Sequence, residues 1–350
     1  MGHPAMERNA VRSGEKHRTS NFERRTSKDG KTECWKLLAL FAALLIASVS
    51  QAQTNDQRTL VLVVGAAGEP EYGEQFATSA DLWKRAATNG GFKISIIGES
   101  QNGENDRAQL LGVLTNEVAR PAGELWLVFI GHGTFDGRTA KFNLRGPDIS
   151  AGELADALKP CRRPLAVIQC ASASGPFLNA LSAPGRVIIT ATRSGYEVNA
   201  TRFGNYFARA VADPAADLDK DGQTSLLEAF LMASRQVDEF YQDAGRLATE
   251  HALLDDNGDG LGTPADWFRG VRAVKKAADG KTVDGVRAHQ MFLVRSSTEQ
   301  ELSPSRRARR DELESQLSAL HDRKSQMKED DYYNQLEKIL VETATLYEKK

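Results

Sequence analysis

Two short apolar runs, each followed by a chemically reactive side chain, most constrain how this chain can fold. The first run, 124–130, ends just before His132, and the second, 165–169, ends just before Cys170. Runs of this length bounded by glycine or small polar residues are typical of strands buried on both faces. A helical pattern over 149–158 lies between them. The chain therefore predicts a strand, a helix and a second strand in succession.

This order predicts a parallel unit, in which both strands end at the same edge of a sheet. Ligands of open α/β sheets bind at that edge. We therefore expect His132 and Cys170 side by side at a cleft, as a thiol nucleophile and the base that takes its proton. The backbone N–H groups of Gly133 and Cys170 are expected to hold the oxyanion of a tetrahedral intermediate. A helix predicted over 172–181 would favour the thiolate through its N-terminal dipole.

The alternation of strand and helix continues on both sides of this unit. Apolar runs at 59–65, 92–98 and 186–191 predict further strands, and helical patterns at 73–87 and 106–118 predict further helices. Such alternation is the signature of an α/β domain with three layers, α/β/α, around a mainly parallel sheet.

Residues 1–52 have the pattern of a signal peptide or an N-terminal anchor. An uncharged apolar run, 37–49, follows a basic region and precedes a small-x-small cleavage site at 50–52. The run is shorter than the ~20 residues that a spanning helix needs, so we expect no stable membrane span after cleavage. The pattern predicts a secreted or periplasmic protein, or a membrane-anchored one if the segment is not cleaved.

The remaining chain is acidic. Of the 45 Lys and Arg and the 47 Asp and Glu, residues 1–52 hold nine and five, which leaves 36 against 42. This balance argues against nucleic acid as a partner, because contacts with phosphate need clustered basic residues. Protein or peptide is the expected substrate.

The cysteine content supports a reactive thiol. Only Cys161 and Cys170 follow residue 52, and they flank one predicted strand, which places them too far apart for a disulfide. An unpaired thiol in an exported protein favours a reactive cysteine. An inert buried cysteine is the alternative for each.

The motifs at the strand ends resemble those of a known group of enzymes. The segments 131–133 (GHG), 169–175 (QCASASG) and 190–192 (TAT) are similar to the legumain, caspase and metacaspase group of cysteine peptidases, most of all to bacterial legumain-like members. The likeness covers Leu60 to Tyr206. It implies the caspase-hemoglobinase fold, a His132–Cys170 dyad and an endopeptidase that cuts after one favoured side chain.

The favoured side chain depends on the loops that follow the first and third strands. Legumains carry basic residues after the first strand, whereas this chain has Ala-Ala-Gly-Glu at 66–69, so asparagine specificity is not carried over. Glu69 and Glu197 favour Lys or Arg before the scissile bond. Arg193, beside Ser194 on the same rim, favours Asp, because a guanidinium pairs with a carboxylate through two hydrogen bonds. We expect a basic preference, with solvated surface charge as the alternative.

Two aspartate-rich loops predict calcium binding in the same domain, which is predicted to span 57–298. The loop 217–228 matches the EF-hand pattern, and its predicted ligands are Asp217, Asp219, Asp221, Gln223 and Glu228. The loop 255–266 matches less closely, and its predicted ligands are Asp255, Asn257, Asp259 and Asp266. The expected cofactor is Ca²⁺ in a structural role, with a solvated turn as the alternative.

The C-terminal segment, 303–350, changes to charged helix formers with apolar residues at helical spacing. It predicts a helical hairpin or a short coiled coil that offers a contact surface for a partner. Taken together, these features predict an exported, calcium-stabilised cysteine endopeptidase that acts through a thioacyl enzyme. The alternatives are a catalytically silent, calcium-dependent binding scaffold on the same fold and another cysteine-dependent amide hydrolase.

Overall fold

A computed structural model describes residues 57–99, 105–280 and 282–348 of the chain. The predicted signal or anchor segment, 1–52, lies outside the described residues. Among the helices that are described, none is long and apolar enough to cross a bilayer.

The described chain contains strands and helices in alternation. The strands are β1 (Thr59–Val64), β2 (Lys93–Ile97), β3 (Leu125–Ile130), β4 (Gly133–Phe135), β5 (Ala140–Phe142), β6 (Ile149–Ser150), β7 (Leu165–Gln169), β8 (Arg186–Thr190), β9 (Leu253–Asp255), β10 (Phe268–Arg269) and β11 (Arg272–Ala273). The α-helices are α1 (Pro70–Asn89), α2 (Asp106–Val118), α3 (Ala151–Leu158), α4 (Gly175–Leu181), α5 (Phe203–Ala210), α6 (Leu226–Asp243), α7 (Val286–His289), α8 (Ser297–Glu301), α9 (Pro304–Asp322) and α10 (Glu329–Tyr347). Single 3₁₀ turns lie at Pro214–Ala216, Ala265–Trp267 and Lys324–Gln326.

The central sheet has six strands in the order β2-β1-β3-β7-β8-β9. Neighbouring strands are parallel from β2 to β8, and β9 pairs antiparallel with β8 at the edge. The predicted α/β fold with a mainly parallel sheet is therefore confirmed. The antiparallel edge strand was not predicted, because three residues are too few to show an alternating pattern.

Helices cover both faces of this sheet. Successive residues of each buried strand point to opposite faces, so each strand contributes apolar side chains to both. On one face, Leu62 and Trp126 pack against α1, α5 and α6. On the other, Val63 and Leu127 pack against α2, α3 and α4. All six residues of β1 and of β3 are buried, which explains their continuous apolar sequence.

Local signals explain where the helices begin. Ser150 caps α3 through a capping box with Glu153, so the helix begins two residues into the predicted pattern, at Ala151. The helix α1 is longer than predicted, because Pro70 occupies its first turn, where a missing N–H costs nothing. The helix predicted from residue 172 begins only at Gly175, since Ala173 has a positive φ of 53°.

The C-terminal segment forms two helices, α9 and α10, which pack against each other. Arg309 of α9 pairs with Glu342 of α10 at 2.7 Å. Arg310 points the other way and pairs with the buried Glu299 of α8 at 2.7 Å. Gln290 also donates to the carbonyl of Asp311 at 2.8 Å. The helical pair is thus attached to the rest of the described chain through buried as well as exposed contacts.

Candidate active site

The predicted histidine lies beside the point where the strand order of the sheet reverses, and the predicted cysteine follows the next strand of the sheet. β1 has β2 on one side and β3 on the other, which creates a crevice beyond their carboxyl ends. His132 follows β3, and Cys170 follows β7 directly beside it. Both side chains line the same cavity, which has a volume of about 40 Å³. The structure therefore brings together the two residues that the sequence paired.

The imidazole of His132 is held from three sides. Tyr72 and Phe76 of α1 contact it edge-on, with ring centroids at 4.6 and 5.1 Å. Its Nε2 lies 3.2 Å from the carbonyl oxygen of Ala67, which follows β1. A carbonyl can only accept, so this contact places the hydrogen of the neutral ring on Nε2 and leaves Nδ1 as the acceptor. An acceptor nitrogen is what a general base requires.

The thiol of Cys170 is buried, with 4% of the residue exposed. Gly204 of α5 packs on it so closely that a Cβ at that position would lie 2.6 Å from the Cys170 Cβ. Burial raises the pKa of the Cys170 thiol to about 12, because a thiolate here would lose its hydration. The helix that was predicted to favour the thiolate begins at Gly175, and its effect on the thiol stays a prediction.

Both N–H groups of the predicted oxyanion hole are engaged. The N–H of Gly133 donates to Ser172 Oγ at 3.2 Å, and that hydroxyl donates to the Gly133 carbonyl at 3.1 Å. The N–H of Cys170 donates to the Phe129 carbonyl at 3.0 Å and so continues the pairing of the two strands. The predicted oxyanion hole is therefore not formed in this conformation, because Ser172 and the sheet hold both donors.

A buried carboxylate that the sequence did not single out holds the first turn of α5. Glu250 accepts the N–H of Arg202 at 2.9 Å and that of Phe203 at 3.0 Å. The Tyr241 hydroxyl donates to it at 3.2 Å. Because Gly204 follows immediately and covers Cys170, Glu250 fixes the turn that buries the thiol. No motif marks this residue, and it lies 47 residues from Phe203 along the chain.

The residues predicted to select the substrate have different surroundings. Glu197 accepts from His251 Nδ1 at 2.6 Å and lies 3.2 Å from Arg193 Nε, so its charge is used inside the protein. Ser194 Oγ accepts the N–H of Tyr196 at 3.3 Å in a local turn. Glu69 is exposed at the start of α1. The prediction that Glu197 faces the substrate is therefore not supported, because its carboxylate is already paired.

A second, larger cavity of about 430 Å³ is lined in part by Phe203, in the first turn of α5. Its lining includes an aromatic ring, a hydroxyl and charged side chains, namely Arg193, Ser234, Asp238, Glu250, His251, Asp266 and Trp267. Asp266 was predicted to bind calcium in the second aspartate-rich loop. It lines this cavity together with Asp238.

The first aspartate-rich loop gathers the carboxylates that the sequence predicted. Oxygens of Asp217, Asp219 and Asp221 lie within 4.8 Å of one another. Asp217 Oδ1 is buried and has no hydrogen-bond partner among the described residues, which fits a cation. Glu228 accepts the N–H of Leu218 at 2.7 Å, so its carboxylate also faces the loop.

Two further side chains lie at this loop in a way that the sequence did not predict. The amide oxygen of Gln223 accepts the N–H of Ser296 at 3.1 Å, and its nitrogen donates to Asp221. Gln223 can therefore offer a cation only its backbone carbonyl, as the seventh EF-hand position does. His289, from α7, lies 2.9 Å from an oxygen of Asp219 and was not predicted near the loop.

The second aspartate-rich loop is organised by hydrogen bonds to its own backbone. Asp255 accepts the N–H groups of Gly258 and Gly260 at 3.0 and 3.1 Å. Asn257 and Asp259 accept in the same manner from residues two positions later. The sequence did not indicate Asp284, whose buried carboxylate accepts the N–H groups of Asp256 and Asn257. Burial, and then repulsion from Asp256, raises the pKa of Asp284.

No known protein family and no curated protein matches the sequence. Solved structures that the chain resembles include caspase-1 from Spodoptera frugiperda, 10% identical, with a TM-score of 0.38 over 58% of this chain and 87% of that chain. The Drosophila initiator caspase Dronc is 16% identical, with a TM-score of 0.39 over 57% of this chain and 79% of that chain. Similarities of this size do not assign an activity, and the likeness to legumains stays a prediction.

Proposed function

We propose that this protein is a cysteine endopeptidase whose catalytic dyad is His132 and Cys170. The observation that carries the proposal is the cavity that both residues line beyond the carboxyl ends of β3 and β7. His132 removes the thiol proton as the sulfur attacks a peptide carbonyl, and the same proton passes to the leaving amine as the peptide bond breaks. Water, deprotonated by His132, then hydrolyses the thioacyl enzyme.

The described conformation is closed to substrate. A cavity of about 40 Å³ admits water but not a peptide. Part of its lining comes from the turn before α5 and from the start of that helix, namely Ala200, Thr201, Gly204 and Asn205. Moving this turn outward hydrates the sulfur of Cys170 and lowers its pKa toward the ordinary value. Peptide binding therefore requires this turn to open and Ser172 to release the Gly133 N–H.

Labelling with peptidyl chloromethyl ketones tests the dyad. We expect one label per chain in the wild type, none in Cys170→Ala, and strongly slowed labelling in His132→Ala. Cys161→Ala is the matched control, since Cys161 is the other free, buried cysteine of the described chain. Labelling that persists in Cys170→Ala, or that disappears in Cys161→Ala, contradicts the proposal.

A catalytically silent binding scaffold is the second candidate, and the burial of Cys170 favours it. A thiol with a raised pKa that stays covered in the presence of peptide serves packing rather than chemistry. If the protein is a binding scaffold, we expect the wild type to fold. It should not be labelled by the peptidyl chloromethyl ketone and should cleave no peptide at any calcium concentration. Cleavage of small amides without cleavage of peptides supports the third candidate, another cysteine-dependent amide hydrolase.

Calcium binding is part of the proposal for the first aspartate-rich loop. Asp217, Asp219, Asp221 and Glu228 would hold Ca²⁺, together with the backbone carbonyl of Gln223. The buried, unpartnered Oδ1 of Asp217 supports a cation at this position. The ion supplies charge neutralisation and stiffens the loop at the start of α6. For the second loop, Asp255, Asn257 and Asp259 would contribute, and Asp266 would not.

Export and partner binding complete the proposal. Export rests on the apolar run 37–49 and the small residues after it. Exposed apolar side chains of α10, namely Tyr333, Leu340 and Val341, would form the contact surface for a partner protein.

A further inference from the structure

A nitrogen donor lies at the first aspartate-rich loop. The Nε2 atom of His289, at the end of α7, lies 2.9 Å from Oδ2 of Asp219. Donor atoms of Asp219, Glu228 and His289 all lie within 4.8 Å of one another. His289 is 70 residues from Asp219 along the chain, so the spacing within the loop gives no sign of it. The fold therefore adds an imidazole to a set of donors that the sequence presents as oxygens alone.

The backbone around His289 is held by a buried carboxylate from the second aspartate-rich loop. Asp256, of which 6% is exposed, accepts the N–H of Gly285 at 3.0 Å and that of Ala288 at 2.8 Å. The N–H of His289 donates to the carbonyl of Gly285 at 2.9 Å and closes the same turn. A ligand whose backbone is already fixed loses less conformational freedom when it binds an ion.

A second observation, independent of the imidazole, indicates a missing cation. Asp217 is buried, with 8% of the residue exposed, and its Oδ1 has no hydrogen-bond partner among the described residues. Its Oδ2 accepts the N–H of Gly222 at 3.1 Å across the loop. A carboxylate oxygen of Asp217 lies within 4.8 Å of oxygens of Asp219 and Asp221. The ammonium of Lys220 donates to the backbone carbonyl of Asp217, so this charge is directed at a peptide oxygen. A buried carboxylate oxygen left unpaired beside two like charges calls for a cation.

The nitrogen donor changes which ion the loop suits. Ca²⁺ takes oxygen ligands, whereas imidazole suits Zn²⁺ and other first-row transition ions. Zn²⁺ lies about 2.0–2.2 Å from imidazole and carboxylate ligands, so two ligands of a tetrahedral site lie roughly 3.3–3.6 Å apart. The donor atoms of His289 and Asp219, which are 2.9 Å apart, would need to separate by only about 0.5 Å to admit the ion.

We propose that the first aspartate-rich loop binds a divalent transition-metal ion, represented by Zn²⁺, through His289, Asp219, Glu228 and Asp217. Glu228 binds the ion in place of its longest hydrogen bond, the one at 3.3 Å from the N–H of Asp219. The ion connects the loop with the start of α6 and with α7, which are distant in sequence. It competes with Ca²⁺ for the same carboxylates. The inference therefore rests on the proposed cation site of this loop and does not depend on the peptidase function.

Titration calorimetry with Zn²⁺ alone tests the site. All three cysteines of the chain are replaced by alanine, so that no thiol binds the ion. We expect saturable Zn²⁺ binding in this background. His289→Ala should weaken it at least about 10-fold, because removing a mere partner of a metal ligand already costs roughly 10- to 100-fold in affinity. The affinity of His289→Ala for Ca²⁺ should not fall, since Ca²⁺ takes oxygen ligands, and retained Ca²⁺ binding also shows that the variant is folded.

His321→Ala is the matched control. His321 of α9 lines the same cavity as His289, but its ring lies against Tyr332, with centroids 6.3 Å apart. This variant should bind Zn²⁺ as tightly as its parent, whereas Asp217→Asn should weaken the binding of both ions.

The two titrations separate this inference from the proposed calcium site. Ca²⁺ binding without Zn²⁺ binding, or Zn²⁺ binding that is equally tight in His289→Ala, overturns the inference and leaves the calcium site standing. Zn²⁺ binding that requires His289, in a protein that does not bind Ca²⁺, supports the inference and removes calcium from the proposed function. Binding of neither ion overturns both.

Discussion

Ser172 decides which backbone groups near the dyad are free. Its hydroxyl both accepts from and donates to Gly133, so the N–H that would stabilise an oxyanion is occupied. The backbones of the two residues also lie so close that a Cβ at 133 would overlap the Ser172 carbonyl. Glycine is therefore required at 133 by close packing as well as by any role in binding a substrate.

Replacing Ser172 with alanine should separate these effects. Loss of the hydroxyl leaves a buried N–H without a partner, so we expect the free energy of unfolding to fall by about 1–3 kcal/mol. The freed N–H no longer has to break a hydrogen bond before each turnover, so kcat/KM should rise, by up to about tenfold. Steady-state kinetics and urea unfolding provide the two measurements.

Ser174→Ala is the control for this substitution. Ser174 is also buried in the same loop, but its hydroxyl contacts Thr192 rather than Gly133. It should lower stability without raising kcat/KM. Equal kinetic effects of the two substitutions would show that Ser172 does not restrain the Gly133 N–H.

The raised pKa of Cys170 has a consequence for stability at alkaline pH. The pKa of about 12 in the folded protein exceeds the ordinary value of 9.0 for a cysteine, so folding favours the protonated thiol. The contribution of this thiol to stability is full below about pH 9 and is lost as the pH rises toward 12. The free energy of unfolding of the wild type, relative to that of Cys170→Ala, should therefore decline between pH 8 and pH 10.5. A constant difference over that range would mean that the thiol is hydrated in solution.

The sequence was sufficient to predict that His132 and Cys170 lie together, but not how their surroundings are arranged. His132 and Cys170 follow long, fully buried strands, and strand order then places their side chains at one edge. The hydrogen bonds of Gly133 and the cover formed by Gly204 depend on segments that are distant in sequence and carry no motif. Glu250 and Asp284 were missed for the same reason, since each carboxylate is defined only by the backbone groups that it meets in the fold.

At the level of elements, α5 depends on a carboxylate that comes from outside the helix. Glu250 accepts the N–H groups of Arg202 and Phe203, which the helix itself cannot satisfy. Glu250→Ala should lower the free energy of unfolding by about 1–2 kcal/mol, the usual cost of losing an N-cap. Because the loosened turn covers Cys170, alkylation of this cysteine by iodoacetamide should also become faster.

Glu239→Ala is the matched control for the cap. Glu239 is exposed on α6 and forms an ion pair with Arg235, at 3.3 Å. It should change stability by less than about 0.5 kcal/mol, as surface pairs do, and leave the alkylation rate unchanged. The role given to α5 would be refuted by equal alkylation rates in the wild type and Glu250→Ala. Both proteins would be compared in a Cys161→Ala background.

The first aspartate-rich loop allows a direct test of calcium binding. Millimolar Ca²⁺ acting on a site with a Kd of ~10⁻⁴ M should stabilise the folded protein by about 1.4 kcal/mol and raise Tm by about 2–4 °C. EGTA should reverse this rise and lower peptidase activity with it. Asp217→Asn should abolish the calcium-dependent rise, whereas Asp243→Asn, outside both loops, should retain it. A melting curve that is the same in calcium and in EGTA excludes a structural ion.

Long elements were predictable and short ones were not. The buried strands and amphipathic helices between 59 and 190 follow from their apolar patterns. The antiparallel sheet of β4, β5 and β6 was not predicted, because strands of two or three residues show no periodicity. The larger cavity was also beyond sequence reasoning, since its residues come from α6, from the segment before β9 and from the 3₁₀ turn at Ala265–Trp267.

The C-terminal helices contribute to the stability of the described chain, but they do not line the cavity that holds His132 and Cys170. Arg310 of α9 and Glu299 of α8 form an ion pair in which both residues are at least 95% buried. The lining of the dyad cavity, in contrast, extends only from Tyr72 to Asn205 along the chain. The helical pair therefore does not cover the dyad in this conformation.

Removal of residues 303–350 separates these two roles. The truncated chain loses Arg310 and leaves the Glu299 carboxylate without its partner, which should lower the free energy of unfolding by about 3–5 kcal/mol. Glu299→Gln in the truncated chain removes the unpaired charge and should recover part of this loss. Labelling of Cys170 by a peptidyl electrophile, measured well below the lowered Tm, should keep its rate. A many-fold faster reaction after truncation would instead identify the C-terminal helices as a cover that inhibits the enzyme.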